Sequence, residues 1–321
     1  MLIALTGANG FLGKHILTRA IESGNHVVAF VRSKEKLSEF SNNSNVTIVE
    51  ESYTDISSFA DKLKNLTIEL GLFDLFIHNA GLTKSLAASP FFKVNVDLTK
   101  FVCDGLHRLN ALKVSARLVY ISSLAAQGPK NVDEPVSAYG KSKLKAENII
   151  KKSGFNYVIY RPTGIYGPDD LAFLPMFKSA KLGFHFDLSK KNQKLTLILG
   201  NDLAKLVIKA HKYPDHCIVR CSDGNVYSQK DLAETFSLVF KKKVRYLRIS
   251  PAIAIYSLWI SDKYSHKYNK IPEVTLEKYR EISQDWNVDA LNENKPEDVD
   301  FLSLESGFTL TLRAYQRKSL I

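Results

Sequence analysis

Tyr139 and Lys143 stand four residues apart in the run Ser137-Ala138-Tyr139-Gly140-Lys141-Ser142-Lys143. Downstream, Leu144, Ile149 and Ile150 are apolar with charges between them, a pattern that predicts a helix. One helical turn would then set phenol and ammonium on the same face. A phenol left alone titrates near pH ~10, and a neighbouring ammonium favours its ionised form. Such a pair could pass a proton to and from a carbinol or carbonyl oxygen near neutral pH. A Tyr and a Lys four apart on a helix are more often an ordinary solvated face, so the reading needs support from upstream.

That support begins at the first residues. Leu2-Ile3-Ala4-Leu5 reads as a buried strand, followed by Thr6-Gly7-Ala8-Asn9-Gly10-Phe11-Leu12-Gly13 and a helix with Ile16, Leu17, Ala20 and Ile21 on one face. Strand, glycine turn and helix together point to phosphate binding. Gly7 allows the tight turn, Gly10 lets backbone N–H groups close on a pyrophosphate, and Gly13 lets helix and strand pack closely. The helix start adds free N–H donors and a partial positive charge. The second strand, His26–Val31, runs into Arg32. An acidic residue there would hold the ribose 2′-hydroxyl of NAD, whereas an Arg accommodates a 2′-phosphate. Val31-Arg32 therefore favours NADP over NAD, unless Arg32 merely points into solvent.

Further strands are expected at 46–49, 75–78, 118–121 and 157–160, with helices over 57–70 and 90–109, the latter carrying Asn95. Asn79-Ala80-Gly81 closes the fourth strand where a cofactor would lie, at the carboxyl ends of parallel strands. His78 has no Cys or carboxylate close in sequence, so a hydrogen-bonded structural role outweighs a metal role. Ser122-Ser123 ends the fifth strand, where a hydroxyl can donate to a substrate oxygen. Six strands alternating with helices predict an α/β fold, a doubly wound parallel sheet of Rossmann type. Residues 1–167 would form the dinucleotide-binding domain, with strands near 195–222 returning to the sheet. Residues 168–194 and 223–321 would form a small, discontinuous substrate-binding part. Phe173, Phe177, Phe184, Phe186 and several lysines within 169–194 are expected to line its pocket. They would suit a nucleotide base with phosphates, an apolar ring, or plain core packing.

The 321 residues are 45% apolar and 24% charged, ordinary for a globular chain with a sizeable core. The net charge of +11 favours anionic partners, among them a phosphorylated cofactor or nucleotide-linked substrate. Lys241-Lys242-Lys243 reads as the solvated end of a helix, and no nucleic-acid motif accompanies the charge. Cys103, Cys217 and Cys221 are too few and too spread for a disulfide framework, which suits a reducing compartment. No signal peptide is legible at the start, and no apolar run approaches the ~18 residues of a membrane span. The apolar segment 251–260 reads as a packed helix rather than a surface-lying anchor. A cytoplasmic protein is expected.

Taken together, these residues resemble the extended branch of the short-chain dehydrogenase/reductase family. That branch holds the NAD-dependent epimerases and dehydratases and the 3β-hydroxysteroid and dihydroflavonol-type reductases. The matching runs are Thr6 to Gly13, His78-Asn79-Ala80-Gly81, Val94-Asn95-Val96, Ile121-Ser122-Ser123, Tyr139-Gly140-Lys141-Ser142-Lys143 and Arg161-Pro162-Thr163-Gly164-Ile165-Tyr166-Gly167-Pro168. Asn201-Asp202-Leu203-Ala204 and the closing run also fit, so the similarity spans nearly the whole chain.

The resemblance implies Tyr139 as acid/base, with Lys143 lowering its pKa and holding the nicotinamide ribose. It places the hydrogen-bonding serine at Ser123, with Ser122 the near alternative. Gly7, Asn9, Gly10, Phe11 and Leu12 would meet the pyrophosphate, and Asn79, Ala80 and Gly81 the ribose and adenine. Asn95 and Pro162 would approach the cofactor; the helices bearing Asn95 and Tyr139 often pair as a bundle in relatives, which makes a homodimer one of the oligomeric states left open. Two positions depart from the pattern: Ser52-Tyr53, where an Asp and an aliphatic residue usually meet the adenine, and Val31-Arg32. The activity implied is hydride transfer at a hydroxyl or keto carbon, either as an epimerase on a nucleotide sugar or as an NADP-dependent ketone reductase. Dehydration ranks lowest, because Ser123-Leu124-Ala125 brings no carboxylate. A dinucleotide sensor without catalysis is the contrasting reading, disfavoured because both Tyr139 and Lys143 are present.

Overall fold

The computed structural model describes residues 1–129, 132–189, 193–268, 272, 275–284, 286, 292 and 295–321. Strands β1 (Leu2–Thr6), β2 (His26–Val31), β3 (Val46–Glu50), β4 (Phe73–His78), β5 (Leu112–Ile121) and β6 (Tyr157–Pro162) come first. They are followed by β7 (Gly164–Tyr166), β8 (Phe184–Asp187), β9 (Lys194–Leu195), β10 (Leu197–Leu199), β11 (Cys217–Cys221), β12 (Tyr227–Ser228) and β13 (Arg245–Arg248). Seven of these form one sheet in the order β11-β6-β5-β4-β1-β2-β3, with every pairing parallel. Both faces of such a sheet must be covered, and β1 is accordingly an uninterrupted run of buried apolar residues ending in Thr6.

Helices α1 (Phe11–Glu22), α2 (Ile56–Leu70), α3 (Ser89–Phe92), α4 (Leu98–Leu109), α5 (Leu124–Gln127) and α6 (Ala138–Lys152) belong to this half. Helices α7 (Leu174–Lys181), α8 (Gly200–Ile208), α9 (Gln229–Val239), α10 (Pro251–Tyr268), α11 (Leu276–Ile282) and α12 (Leu304–Arg317) complete the chain. One face of the sheet packs with α1 and α8 through Ile16, Leu17, Leu203 and Val207. The other packs with α2, α4 and α6 through Phe59, Leu63, Val102 and Ile150. Strand order reverses between β1 and β4, and this switch point is where open α/β sheets bind ligands. A third core, from α7, α9 and α12, buries Phe177, Phe236, Phe308 and Tyr315 together.

Two expectations for the later chain change here. Only 217–221 returns to the main sheet: β11 pairs with β6 and so occupies that edge. The 195–199 run is divided instead, β9 pairing with β12 and β10 with β7 in separate two-stranded sheets. Residues 251–260 are helical as expected, yet they are not packed in. Ile253 and Tyr256 are 63% and 64% exposed, while Ala254 is buried and Leu258 and Ser261 are half-buried. Ala254, Leu258 and Ser261 are spaced as one helical stripe, so a segment apolar on all sides gives the protein only that narrow strip.

Candidate active site

The phosphate-binding turn is built as its glycines require. Gly7 has φ +67°, and the Asn79 amide donates to its carbonyl at 3.1 Å. A Cβ on Gly13 would stand 2.1 Å from the Gly7 carbonyl oxygen, so only glycine lets α1 close onto the turn. Gly10 caps α1 without a side-chain hydrogen bond. The first N–H groups of this helix therefore keep their donors for an anion, and the helix dipole adds to the pull. Asn9 and Phe11 are half-buried at this turn and Leu12 is buried beneath it. This open, uncapped helix start suits the phosphates of a dinucleotide.

Behind the turn runs a directed chain of polar groups. The Asn79 and Ala80 N–H groups donate to Thr6 Oγ1 at 3.2 and 3.1 Å. Thr6 Oγ1 lies 2.9 Å from His78 Nδ1, and His78 Nε2 lies 3.0 Å from Thr99 Oγ1. The Thr99 hydroxyl donates to the Asn95 carbonyl at 2.7 Å, which leaves it accepting from His78 Nε2–H and leaves Nδ1 accepting from Thr6. Burial drives the His78 pKa down to about 3, with the Lys143 charge adding to it, so the ring is neutral. The structural role expected for His78 is thus its observed one. Asn95 sits in a π-helical turn (Lys93–Asp97) and spends its amide on Leu82 and Ser142. It clamps the loop after β4 to α6 rather than offering a free polar atom to the crevice. Gly81 lies in that loop, where a Cβ would come 3.1 Å from Asn95 Oδ1 and 3.6 Å from Lys143 Nζ. Pro162 is buried at the end of β6, opposite Cys221.

At the end of β2, Arg32 is exposed. Glu51, whose N–H bonds the Val31 carbonyl, spends its carboxylate on Lys62 at 2.8 Å and the Tyr53 N–H at 2.6 Å. Tyr53 itself turns inward against Phe59 and Phe101, with its phenol pKa raised chiefly by burial. The departure at Ser52-Tyr53 therefore places an aromatic ring in the core against α2 and α4.

The chemistry-bearing side chains converge at the ends of β5 and α6. Ser137 caps α6, accepting the Gly140 N–H at 2.9 Å. The Ser123 hydroxyl lies near enough to the Tyr139 phenol to pull its pKa down against burial, and it accepts the Ala125 N–H at 3.2 Å. Ser122 is spent elsewhere, donating to the buried Glu147 at 2.5 Å. Glu147 in turn binds Arg161 through both carboxylate oxygens, at 2.9 and 2.6 Å. Geometry thus separates the two serines: Ser123 joins Tyr139 and Ser122 anchors a buried ion pair. Lys143 donates to the Ile121 carbonyl at 2.6 Å and lies 4.5 Å above the Tyr120 ring. Desolvation lowers its pKa to about 7, against an opposing pull from Glu147. The expectation that Lys143 lowers the Tyr139 pKa is not met here. Burial raises the phenol, Ser123 partly offsets this, and Glu281 raises it further.

Glu281 belongs to a wall with no signature in the order of residues. A narrow cavity over Tyr139 is lined by Thr83 and Lys84 after β4, by Phe91, and by Pro272, Thr275, Lys278 and Glu281. Glu281 accepts from Ser137 Oγ and holds Lys278 at 2.7 Å. The lining expected from 169–194 is not found. Phe173 and Phe177 pack into the third core, and Phe184 and Phe186 stack on each other at 6.2 Å with Phe186 exposed. Residues 190–192 of that expected lining lie outside the described residues. Aromatics near the end of a parallel sheet read alike whether they face a ligand or a core, which is why spacing could not separate the two.

A sequence model of the NAD(P)H-binding family matches residues 7–173. The chain belongs to this family and, within it, to the extended short-chain dehydrogenases/reductases. It is an NAD(P)-dependent enzyme of the epimerase, dehydrogenase and reductase kind. The ceramide reductase of Caulobacter vibrioides is 25% identical over 320 residues, covering 98% of this chain and 94% of that one. A sterol-4-alpha-carboxylate 3-dehydrogenase of Saccharomyces cerevisiae is 29% identical over 203 residues, 56% of each chain. Among solved structures, Pal from Bacillus thuringiensis superposes with a TM-score of 0.73 at 20% identity, covering 100% of both chains. The UDP-glucuronic acid 4-epimerase of Bacillus cereus, in complex with NAD, gives 0.71 at 18% identity over 99% of each chain. Those structures share the fold.

Proposed function

We propose that the protein is an NADP-dependent ketone reductase acting on an apolar, lipid-like substrate, with Tyr139 as the acid/base. The observation that carries this reading is Tyr139 lining the cavity one helical turn from Lys143 on the same helix, with Ser122 committed to Glu147 and Ser123 left beside the phenol. The Gly7–Gly13 turn and Lys143 would hold NADPH, which when bound would provide the hydride for a carbonyl carbon. Ser123 orients the carbonyl oxygen, and Tyr139 delivers a proton to it. Lys143, fixed by the Ile121 carbonyl, would hold the nicotinamide ribose. Arg32, with Glu51 committed to Lys62 and Tyr53, supports NADP over NAD. Full-length similarity to a ceramide reductase supports the substrate class and the direction.

A second reading is an epimerase on a nucleotide sugar, favoured by the fold shared with the UDP-glucuronic acid 4-epimerase. The two differ in bookkeeping of reducing equivalents. A reductase consumes NADPH stoichiometrically with a long-chain ketone, seen as loss of absorbance, while an epimerase interconverts UDP-sugars with no net change. Tyr139→Phe should lower turnover by about 10²–10⁴-fold. Ser123→Ala should also lower kcat, whereas Ser122→Ala should lower thermal stability and leave kcat close to wild type. Turnover of UDP-sugars without NADPH consumption, and none of ketones, would reject the reductase reading.

A further inference from the structure

Helix α10 and strand β13 present an apolar surface next to a run of cations. Ile253, Ile255, Tyr256, Trp259 and Ile260 are exposed on α10, between 45% and 64%. Strand β13 pairs in register with β8, setting the exposed Leu247 beside the exposed Phe186 on one face of the ribbon. From Thr235 to Ser261 the chain carries Lys241, Lys242, Lys243, Arg245 and Arg248, all exposed, and no Asp or Glu. Beyond Asp262, the Lys263 ammonium lies 3.8 Å above the Trp259 ring.

Apolar side chains with Trp and Tyr among them, rimmed by cations, match the chemistry of an anionic bilayer surface. Amphipathic rings settle at the headgroup level, and lysines and arginines find the lipid phosphates. Between Glu234 and Asp262 the cations carry no carboxylate to offset them. No described helix is long and apolar enough to cross a membrane, so this face would lie on the bilayer, not through it. Its position is also informative. Helix α10 packs against α11, whose Thr275, Lys278 and Glu281 line the cavity over Tyr139.

We infer that α10 and the β8–β13 ribbon dock the protein on an anionic membrane surface, so that a carbonyl-bearing lipid reaches the cavity from the bilayer. This deepens the lipid-reductase reading but is tested without any substrate. The full chain is sedimented with vesicles of phosphatidylglycerol and phosphatidylcholine, and with phosphatidylcholine alone. Binding is expected to the anionic vesicles, to weaken with salt, and to fall more than tenfold in Ile255→Glu/Trp259→Glu. The triple substitution of Lys241, Lys242 and Lys243 by Gln should weaken it about fivefold for each charge removed. Turnover of a water-soluble ketone should stay unchanged in both variants.

With Trp286→Phe leaving Trp259 as the sole tryptophan, its emission should shift to the blue on anionic vesicles. Equal partition to neutral and anionic vesicles, or none to either, overturns the proposal. So does a monomer–dimer equilibrium that the Glu variants abolish while vesicle binding is absent, because the face would then belong to a second copy. Loss of ketone turnover in every protein with vesicle binding intact would reject the redox reading and leave the docking face standing.

Discussion

The two walls of the crevice are held by different means. On the cofactor side, Thr6, His78, Thr99 and Asn95 bond one another in a fixed direction and tie the tips of β1 and β4 to α4 and α6. All four are buried, and the bonds span up to 72 residues of sequence. On the substrate side, a seven-residue helix supplies Lys278 and Glu281, pinned at Ser137 and by the Trp286 indole donating to the Glu281 carbonyl. Groups that must hold hydride donor and acceptor to within fractions of an ångström sit on the sheet. On the proposed reading, the groups facing the substrate would sit on a short, locally braced element apart from the sheet.

The comparison breaks most severely at Gly13. Gly13→Ala forces a methyl to 2.1 Å from the Gly7 carbonyl, so either the turn or α1 must move. The expected loss is at least the ~3 kcal/mol at the upper end of overpacking, with NADPH binding abolished. Calorimetry and cofactor titration by fluorescence check both.

Next comes Lys143. Its folded pKa of about 7 lies below the ordinary lysine value, so the unfolded chain binds the extra proton between about pH 7 and the unperturbed range. Stability therefore rises with pH through that window, and the cost of the buried charge is fully present below it. Lys143→Met should raise the thermal midpoint over wild type most at pH 6 and least near pH 10, while turnover collapses. A stabilisation independent of pH would reject the depressed pKa.

The smallest effect sharpens the contrast between walls. Glu281 raises the Tyr139 phenol, so Glu281→Gln should move the alkaline limb of the kcat profile to lower pH. The dissociation constant of NADPH should stay within about twofold of wild type, since the relay behind the turn is untouched. A pH profile unmoved by the substitution would detach Glu281 from the phenol.

Much of the sheet side was legible because its constraints are local. Gly7, Gly10 and Gly13 mark a turn that other residues cannot make, and strands buried on both faces read as apolar runs. Tyr139 and Lys143 followed from spacing and Ser123 from the family resemblance, and the bond from Ser122 to Glu147 then set the two serines apart. The substrate side was not legible, for reasons equally physical. Glu281 reaches Ser137 across 144 residues, with no periodicity to announce the contact. Asn95 was expected near the cofactor, but its three hydrogen bonds to Leu82 and Ser142 exist only once the chain has folded back. The 251–260 run was misread because apolar composition gives the number of greasy side chains, not what covers them.

The π-helical turn at Lys93–Asp97 carries one residue more than an α-helical path would need. An added residue rotates everything after it by about a quarter of a circle relative to what came before. Asn95 can therefore aim at α6 while Val102 and Leu106, further along, still aim at the opposite neighbour in the core beside Phe59. Shortening the chain by a single position there would make a more regular helix, and would force a choice between a seated amide and a filled core.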